Sequence, residues 1–210
     1  MQQDKLLNEP WLGWALEIQS IAQNGLAYAR DIYDIERYTR LREISAEMLS
    51  YKSDIPVEKV KALFCNEQGY QTPKLDSRAA IFKQDKILLV QENDGLWSLP
   101  GGWVDVQETI AGNTVKETRE EAGLEVIPRY IIAIHDQRKR NFPPFVHHVL
   151  KVFVMCDLIG GEFRPNNETL ASAYFALDEL PPMAREKNTE QQVRLCFEAH
   201  RSPHWTTEFD

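Results

Sequence analysis

The sequence predicts an α/β (α+β sandwich) fold, in which a mixed β-sheet lies between helices, preceded by a small all-helical N-terminal domain. Two observations support this prediction. Residues 1–64 contain only two glycines and place their apolar residues at helical intervals, whereas the later chain alternates short strand patterns with helical ones. We therefore divide the chain into a helical domain over 1–64, a linker over 65–76 and a sheet domain over 77–210.

The N-terminal region is expected to form three helices. Apolar stripes with spacings near three and four predict the first two, over 11–22 and 32–48. A short third helix is expected after the Asp-Ile-Pro segment at 54–56, because proline suits a first helical turn. A unit of this size has little core of its own. Two interpretations stay open: a bundle that only packs on its neighbour, or a dimerisation element that also shapes a ligand pocket.

The sheet domain is predicted from shorter apolar runs that turn residues separate. Strands are expected over 77–82, 86–90, 130–135, 146–156 and 174–177, with turns at 83–85 and 93–95 and a break at 160–161. A helix over 108–122 is expected to end at Gly123, which suits the position after a helix. A last helix should begin at Asn188, an N-cap candidate with Gln191 three residues on, and end near residue 200.

Composition and charge restrict the possible partners. The chain has 210 residues, 43% of them hydrophobic and 27% charged, and its formal net charge is −8. A chain of this length buries a core without disulfides or metals as staples. Its acidic surface argues against a nucleic-acid polymer or an anionic membrane as a partner, because both would repel it.

Three further features indicate a cytoplasmic protein. The cysteines Cys65, Cys156 and Cys196 are widely spaced and form no CxxC pair, which is typical of a reducing compartment. Residues 1–5 do not form a basic start before a long apolar run, so we expect no secretory signal. No apolar run approaches the roughly 18 residues of a membrane span.

Three carboxylates in the predicted helix over 108–122 indicate metal chemistry. Glu117, Glu120 and Glu121 share one helix face, with Cβ atoms about 5–6 Å apart. Like charges this close repel one another, and oxygen ligands at this density suit Mg²⁺ or Mn²⁺. Gly101 and Gly102 precede the helix and permit an unusual turn with a bare carbonyl. For an isolated ExxEE pattern, a solvated acidic helix face would be the simpler interpretation.

The whole stretch over 101–124 carries more information than the glutamates alone. GGWVDVQETIAGNTVKETREEAGL resembles the Nudix box, G-x5-E-x7-R-E-U-x-E-E-x-G-U, and matches seven of its nine specified positions with full spacing. The departures are Lys116, where arginine is usual, and Thr118, where an aliphatic residue is usual. Lysine keeps the charge of arginine but loses its planar fork. Neither departure removes a carboxylate.

The resemblance to Nudix hydrolases extends over nearly the whole chain. Residues 87–103 and 174–181 resemble the segments that flank the box, and the helical N-terminal region resembles the leader domain of the bacterial ADP-ribose and CDP-choline pyrophosphatases. The resemblance implies metal-dependent hydrolysis of a pyrophosphate bond in a nucleoside diphosphate linked to another moiety. ADP-ribose, cleaved to AMP and ribose 5-phosphate, is the leading substrate. CDP-choline cleavage to CMP and phosphocholine, nucleoside triphosphate hydrolysis and a non-catalytic regulatory module are the alternatives, in that order.

The resemblance also assigns roles to individual residues. Glu117, Glu120 and Glu121 would bind Mg²⁺ or Mn²⁺, with help from the carbonyl of Gly101 or Gly102, and Lys116 would hold a glutamate in position. A general base is also needed to take the proton of the attacking water. It is either a glutamate of the box or a carboxylate of a later loop, where Glu168 is the first candidate and Glu162 the second.

Three further residues are candidates for substrate binding. Arg78 could reach a phosphate, although it could also be an ordinary charge at a strand edge. Trp103 could line the pocket or pack in the core. Arg138 belongs to a basic run over 138–140, which could attract an anionic substrate or only be solvated. The expected partners are the small-molecule substrate and a second copy of the chain in a homodimer.

Overall fold

The computed structural model describes residues 10–53, 55–142 and 147–210. The signal-peptide prediction at residues 1–5, residue 54 before the third helix, and residue 146 at a predicted strand start lie outside the described residues. The described chain divides into two compact units between Thr72 and Pro73. No helix among the described residues is long and apolar enough to cross a membrane.

The N-terminal unit contains the three expected helices: α1 (Pro10–Tyr28), α2 (Ile32–Ser53) and α3 (Val57–Phe64). Its described buried apolar residues are few, and they are Ala15, Ala22, Ala46, Leu49, Val60, Phe64 and Cys65. Two buried polar side chains, Gln19 and Gln23, donate to the carbonyls of Phe64 and Gly69 at 3.3 and 3.1 Å. The prediction of a helical N-terminal region with a small core is therefore confirmed.

The C-terminal unit is built around one mixed sheet. Its strands are β1 (Lys74–Lys83), β2 (Lys86–Glu92), β3 (Trp97–Ser98), β4 (Gly101–Trp103), β5 (Leu124–Asp136), β6 (Val149–Gly161), β7 (Thr169–Phe175) and β8 (Glu208–Phe209). Its helices are α4 (Ile110–Ala122), α5 (Gln137–Arg140) and α6 (Glu190–Arg201). The strand order is β3-β2-β1-β6-β5-β8, with β4 on β1 and β7 on β2. The β1–β6 and β5–β8 pairs are parallel and the other pairs antiparallel.

Two hydrophobic layers cover the two faces of this sheet. Successive strand residues point to opposite faces, so Ala80 and Leu89 pack in the layer that contains α6 residues such as Phe197. Their neighbours Ala79 and Leu88 pack in the layer that contains Ala122 of α4, among other residues. Burial on both faces explains the near-continuous apolar runs of β1 and β2. The predicted sandwich is confirmed.

Several predicted boundaries are wrong. The linker does not extend to residue 76, because β1 begins at Lys74, where it pairs with the start of β6. Helix α4 starts at Ile110, since Thr109 is its N-cap and accepts from the Gly112 N–H. The strand predicted over 174–177 is β7, which begins at Thr169 and ends at Phe175.

The cap of α6 is also one residue later than predicted. Thr189, and not Asn188, is the N-cap, and it forms a capping box with Gln192, where the prediction placed Gln191. Asn188 instead uses its side chain to bind a distant backbone amide. The short elements β3, β4, α5 and β8 were not predicted, since two to four residues carry too little periodicity to be recognised.

Candidate active site

The three glutamates lie on α4 as the spacing predicts, but their environments differ. Glu121 is 9% exposed, Glu117 is half-buried and Glu120 is exposed. The apolar side of α4, including Ile110, Val115 and Ala122, packs on the sheet. Because Glu121 is nearest to that side, it is the most desolvated of the three.

The burial of Glu121 changes its acidity. Its Oε2 accepts the N–H of Gly101 at 2.8 Å. Burial nevertheless raises the pKa of Glu121 to about 7, against the opposing charge of Arg78 and the Gly101 bond. Burial also raises the pKa of Glu117, and the negative charges of Glu120 and Glu168 add to this effect, although Lys116 and Arg78 oppose it. A cation bound beside these carboxylates would offset the cost of keeping them charged.

The two glycines before α4 are required by close contacts. Gly101 has φ +142°, and a Cβ there would lie 1.9 Å from the Ser77 carbonyl oxygen. A Cβ at Gly102 would lie 2.9 Å from Oε2 of Glu117. A side chain at Gly101 would therefore displace β4 from β1, and one at Gly102 would fill the space beside the Glu117 carboxylate.

Long-range hydrogen bonds hold the segment before and after these glycines. The Leu99 N–H donates to Oδ1 of Asn188 at 2.8 Å, and Arg78 Nη1 donates to the Leu99 carbonyl at 3.2 Å. Asn113 Nδ2 lies 3.0 Å from Ser77 Oγ and 3.4 Å from the Gly102 carbonyl oxygen. These roles of Asn113 and Asn188 were not predicted, since their partners are distant in sequence and leave no local pattern.

Arg78, which the sequence offers as a possible phosphate contact, is buried in an ion pair. Arg78 is 3% exposed, and its Nε and Nη2 donate to the two carboxylate oxygens of Asp76 at 2.8 and 2.7 Å. Lys151 Nζ, also buried, lies 3.5 Å from Asp76 Oδ2. Burial lowers the pKa of Lys151 to about 8, while Arg78 and Lys151 hold the pKa of Asp76 below its usual value in spite of burial. Arg78 is thus a buried support beneath the glutamates.

The loop that carries Glu168 is fastened to the C-terminal end of α4. Asn166 Nδ2 donates to the Glu120 carbonyl at 2.9 Å, and Thr169 Oγ1 donates to the Glu121 carbonyl at 2.7 Å. Asn93 Nδ2 also donates to the carbonyl of Asn167 at 2.8 Å. These bonds bring Glu168 next to the glutamates of α4.

A cavity of about 380 Å³ lies at this junction. It is lined by Glu92, Asn93, Asp94, Glu121, Glu168 and Lys187. The ammonium of Lys187 forms an ion pair with Glu92. The sequence predicted Glu121 and Glu168 here, whereas the contributions of β2 and of the segment before α6 come only from the fold.

The remaining predicted residues discussed next, Lys116, Trp103 and Arg138, are not among those that line this cavity. Lys116 Nζ lies 2.9 Å from Asp105 Oδ2 and 3.7 Å from Glu117 Oε1, so it can still steady a glutamate. Trp103 ends β4 beside Gly102 and is half exposed. Arg138 lies in α5 with its Nε 3.6 Å from Asp136 Oδ1, and it is not among the residues that line the cavity.

The donor set of the site fits a divalent cation that prefers oxygen. Because Gly102 has no Cβ, the Glu117 carboxylate can lie close to its backbone, and Glu121 keeps one oxygen that Gly101 does not use. Across residues 10–53, 55–142 and 147–210, no three acidic, histidine or cysteine side chains are placed to hold one metal ion together. This arrangement suits Mg²⁺, which is usually bound by one or two carboxylates together with water and substrate phosphates.

Comparisons with known proteins agree with this site. The family model of the NUDIX domain matches residues 73–196, and the model described as a UDP-X-like, N-terminal oligomerisation domain matches residues 9–64. The chain is 41% identical over 201 residues to a putative ADP-ribose pyrophosphatase of Bacillus subtilis, covering 95% of this chain and 97% of that protein.

Two crystal structures are also similar to this chain. An ADP-ribose pyrophosphatase from Streptococcus suis matches with a TM-score of 0.63 and 60% identity, over 66% of this chain and all of that chain. A UDP-X diphosphatase matches with a TM-score of 0.62 and 29% identity, over 95% and 98% of the two chains. Together with the box glutamates on α4 and the cavity beside them, these similarities show that the chain belongs to the Nudix family and is a hydrolase that acts on pyrophosphate bonds.

Proposed function

We propose that the chain hydrolyses the pyrophosphate bond of a nucleoside diphosphate linked to another moiety, with ADP-ribose as its leading substrate. The observation that supports this most directly is the cavity shared by Glu121 and Glu168, which places a box glutamate and a second carboxylate around one space. Relatives that cover nearly the whole chain, or that are 60% identical over the part they cover, carry the name ADP-ribose pyrophosphatase.

The glutamates of α4 would hold Mg²⁺ or Mn²⁺, and Nudix hydrolases generally use divalent metal ions. Glu117, Glu120 and Glu121 are the proposed ligands, with the carbonyl of Gly101 or Gly102. When bound, such an ion neutralises the diphosphate and lowers the pKa of a bound water. Without a metal, the Glu121 carboxylate is kept in place by the hydrogen bond from the Gly101 N–H and by its position on α4.

Glu168 is the proposed general base. It lines the cavity with Glu121, and the anchored loop holds it there without an ionic partner among the described residues. A carboxylate in this position can take the proton of the attacking water while one phosphate leaves with its substituent. Glu162 lies at the start of the same loop but is not among the lining residues, which makes it the weaker candidate.

The substitution Glu168→Gln tests this role. We expect kcat to fall by roughly 10²–10⁴-fold, the usual contribution of a general base, with little change in KM. Steady-state kinetics at saturating Mg²⁺ measure both constants. Glu162→Gln is the matched control and should keep most of the activity. Glu168 is not the base if its glutamine variant retains wild-type kcat.

Trp103 and Arg138 have weaker proposed roles. We propose that Trp103 lines the substrate pocket, because it is half exposed and follows Gly102 directly. Arg138 lies outside the cavity and pairs with Asp136, so its contribution would be limited to long-range attraction of an anionic substrate.

A panel of diphosphates tests the function and its specificity. ADP-ribose, CDP-choline, several UDP-linked sugars and nucleoside triphosphates are incubated with the protein and Mg²⁺ or Mn²⁺, and the products are identified. We expect AMP and ribose 5-phosphate from ADP-ribose. Preferred cleavage of a UDP-linked compound would instead favour activity on UDP-linked compounds, a further candidate that the similarity to a UDP-X diphosphatase supports. Hydrolysis of triphosphates alone would refute the proposal.

We assign self-association to the helical unit and hydrolysis to the sheet unit, and we propose a homodimer. The family model that matches residues 9–64 describes an oligomerisation domain. On α1, Trp14 and Ile21 are 59% and 51% exposed, and Tyr28 continues the stripe at the same seven-residue interval. Apolar residues seven apart lie on one helix face, which a second copy could cover.

The double substitution Trp14→Glu/Ile21→Glu tests the dimer. We expect the wild type to sediment as a dimer and the variant as a monomer, because two buried negative charges would oppose association. Lys59→Glu on the exposed side of α3 introduces the same type of charge as a control and should leave the dimer intact. A monomeric wild type, or a dimeric double variant, would contradict the assignment.

The proposed location is the cytoplasm. All three cysteines are buried and carry free thiols, so the fold uses no disulfide among them. Free thiols are the rule in a reducing compartment.

A further inference from the structure

Lys187 lies on the wall of the cavity beside Glu121. It lines the cavity together with four carboxylates, those of Glu92, Asp94, Glu121 and Glu168. Of the described residues that line this cavity, Lys187 is the only cation. A diphosphate is itself anionic and would be repelled by these carboxylates, so its binding requires local positive charge.

The backbone that carries Lys187 is held against the sheet. The Trp97 N–H donates to the Pro182 carbonyl at 3.0 Å, and the Ala184 N–H donates to the Trp97 carbonyl at 2.9 Å. The amides of Lys187 and Asn188 both donate to the Ala184 carbonyl, at 2.9 and 3.0 Å. The position of Lys187 is therefore set by a tight turn, and it does not depend on its own side chain.

The ammonium of Lys187 has capacity for a further ligand. It pairs with Glu92, and its side chain is 33% exposed. An ammonium has three N–H donors, so the pair with one carboxylate oxygen leaves others for an anion in the cavity. The other oxygen of Glu92 accepts from Ser98 Oγ at 2.9 Å, which keeps that carboxylate supported when the lysine binds elsewhere.

Arg78 shows by contrast why the lysine is the better phosphate contact. The Arg78 guanidinium is buried and already donates to Asp76 and to the Leu99 carbonyl. Lys187 is instead accessible and lies on the cavity wall.

We infer that Lys187 binds the diphosphate of the substrate and thereby determines affinity for the phosphate moiety, whatever nucleoside is attached. This inference rests on the hydrolase activity proposed above. Lys187 acts only by charge and hydrogen bonding. It is a substrate-binding residue that adds to the metal site on α4.

Kinetics of the intact chain with Mg²⁺ test the inference. Wild type, Lys187→Gln and Lys187→Arg are compared with ADP-ribose, or with the panel diphosphate that the wild type hydrolyses. Inorganic pyrophosphate is added as a competitor, because it presents the phosphates without base or sugar. Lys86→Gln, which removes an exposed lysine at the start of β2, is the matched control.

We expect Lys187→Gln to raise KM and the inhibition constant of pyrophosphate about tenfold or more, since a charge-assisted hydrogen bond is lost. The value of kcat should change little, as expected for a contact made equally in the ground and transition states. Lys187→Arg should stay closer to the wild type than to the glutamine variant, and Lys86→Gln should match the wild type.

Contrary outcomes separate this inference from the proposed function. Unchanged KM and inhibition constants in Lys187→Gln, beside an active wild type, would overturn the inference alone. An arginine variant as impaired as the glutamine variant would refute the role of charge. A wild type that hydrolyses no diphosphate would refute the proposed function itself. If Lys187→Gln unfolds, Glu92→Gln/Lys187→Gln replaces it, because that pair leaves no charge unpaired, and the same shift in KM is expected.

Discussion

Glu121→Gln is expected to reduce kcat by roughly a thousandfold, because the variant loses a proposed metal ligand that would supply several kcal/mol of transition-state stabilisation. The glutamine oxygen can still accept the Gly101 N–H, so the fold around the site should be kept. Kinetics at saturating Mg²⁺ measure the loss. The exposed Glu179→Gln is the control and should behave as the wild type. A Glu121→Gln enzyme with wild-type kcat would show that the metal site is elsewhere.

The same substitution should stabilise the metal-free protein at neutral pH. The pKa of Glu121 is raised from 4.5 to about 7 by burial, so the folded state holds its proton more tightly than the unfolded state. The free energy of unfolding therefore falls as the pH rises from about 4.5 to 7 and is level above that range. Glu121→Gln removes this pH dependence. Above pH 7 the free energy of unfolding of the variant should therefore exceed that of the wild type by on the order of 2–3 kcal/mol.

Urea unfolding in EDTA at several pH values measures this effect. The wild type should lose stability between about pH 5 and 7 relative to Glu121→Gln, and the two curves should converge at low pH. Glu179→Gln should follow the wild type. A constant difference at all pH values would show that the effect does not come from the titration of Glu121. The combination of lower activity with higher stability is typical of a functional carboxylate held in a buried place.

Arg78→Met should destabilise the protein by about 3–5 kcal/mol. It leaves the buried Asp76 carboxylate with only Lys151, 3.5 Å away, and removes the donor to the Leu99 carbonyl. Urea unfolding at pH 7 measures the loss. Removing Asp76, Arg78 and Lys151 together, as Asp76→Leu/Arg78→Met/Lys151→Met, should cost less than Arg78→Met alone, because no buried charge is left unpaired.

This experiment also decides between the two roles considered for Arg78. A phosphate contact would give a variant with wild-type stability and a raised KM. A buried support gives a large loss of stability, which the structure favours because the guanidinium donors are already used. Normal unfolding of Arg78→Met would contradict the structural role.

Much of the fold follows from local patterns. The near-continuous apolar runs of β1 and β2 and the helical stripes of α1 and α4 are visible in the sequence, because the faces that become buried must be apolar. Boundaries were less accurate: β1 begins at Lys74, inside the predicted linker, since its first residues gain strand geometry only by pairing with β6. Thr189 caps α6, since the side-chain oxygen of Asn188 already accepts the Leu99 N–H.

The catalytic chemistry was readable because the box is a contiguous string. Helix geometry alone places Glu117, Glu120 and Glu121 on one face. The two glycines before them are enough to predict that the backbone there takes an unusual turn close to neighbouring groups. The tertiary structure decided the rest. Arg78 is buried and Lys187 is partly exposed because of strands and loops that lie up to about a hundred residues apart in the chain. No local spacing of residues indicates which of the two cations faces solvent.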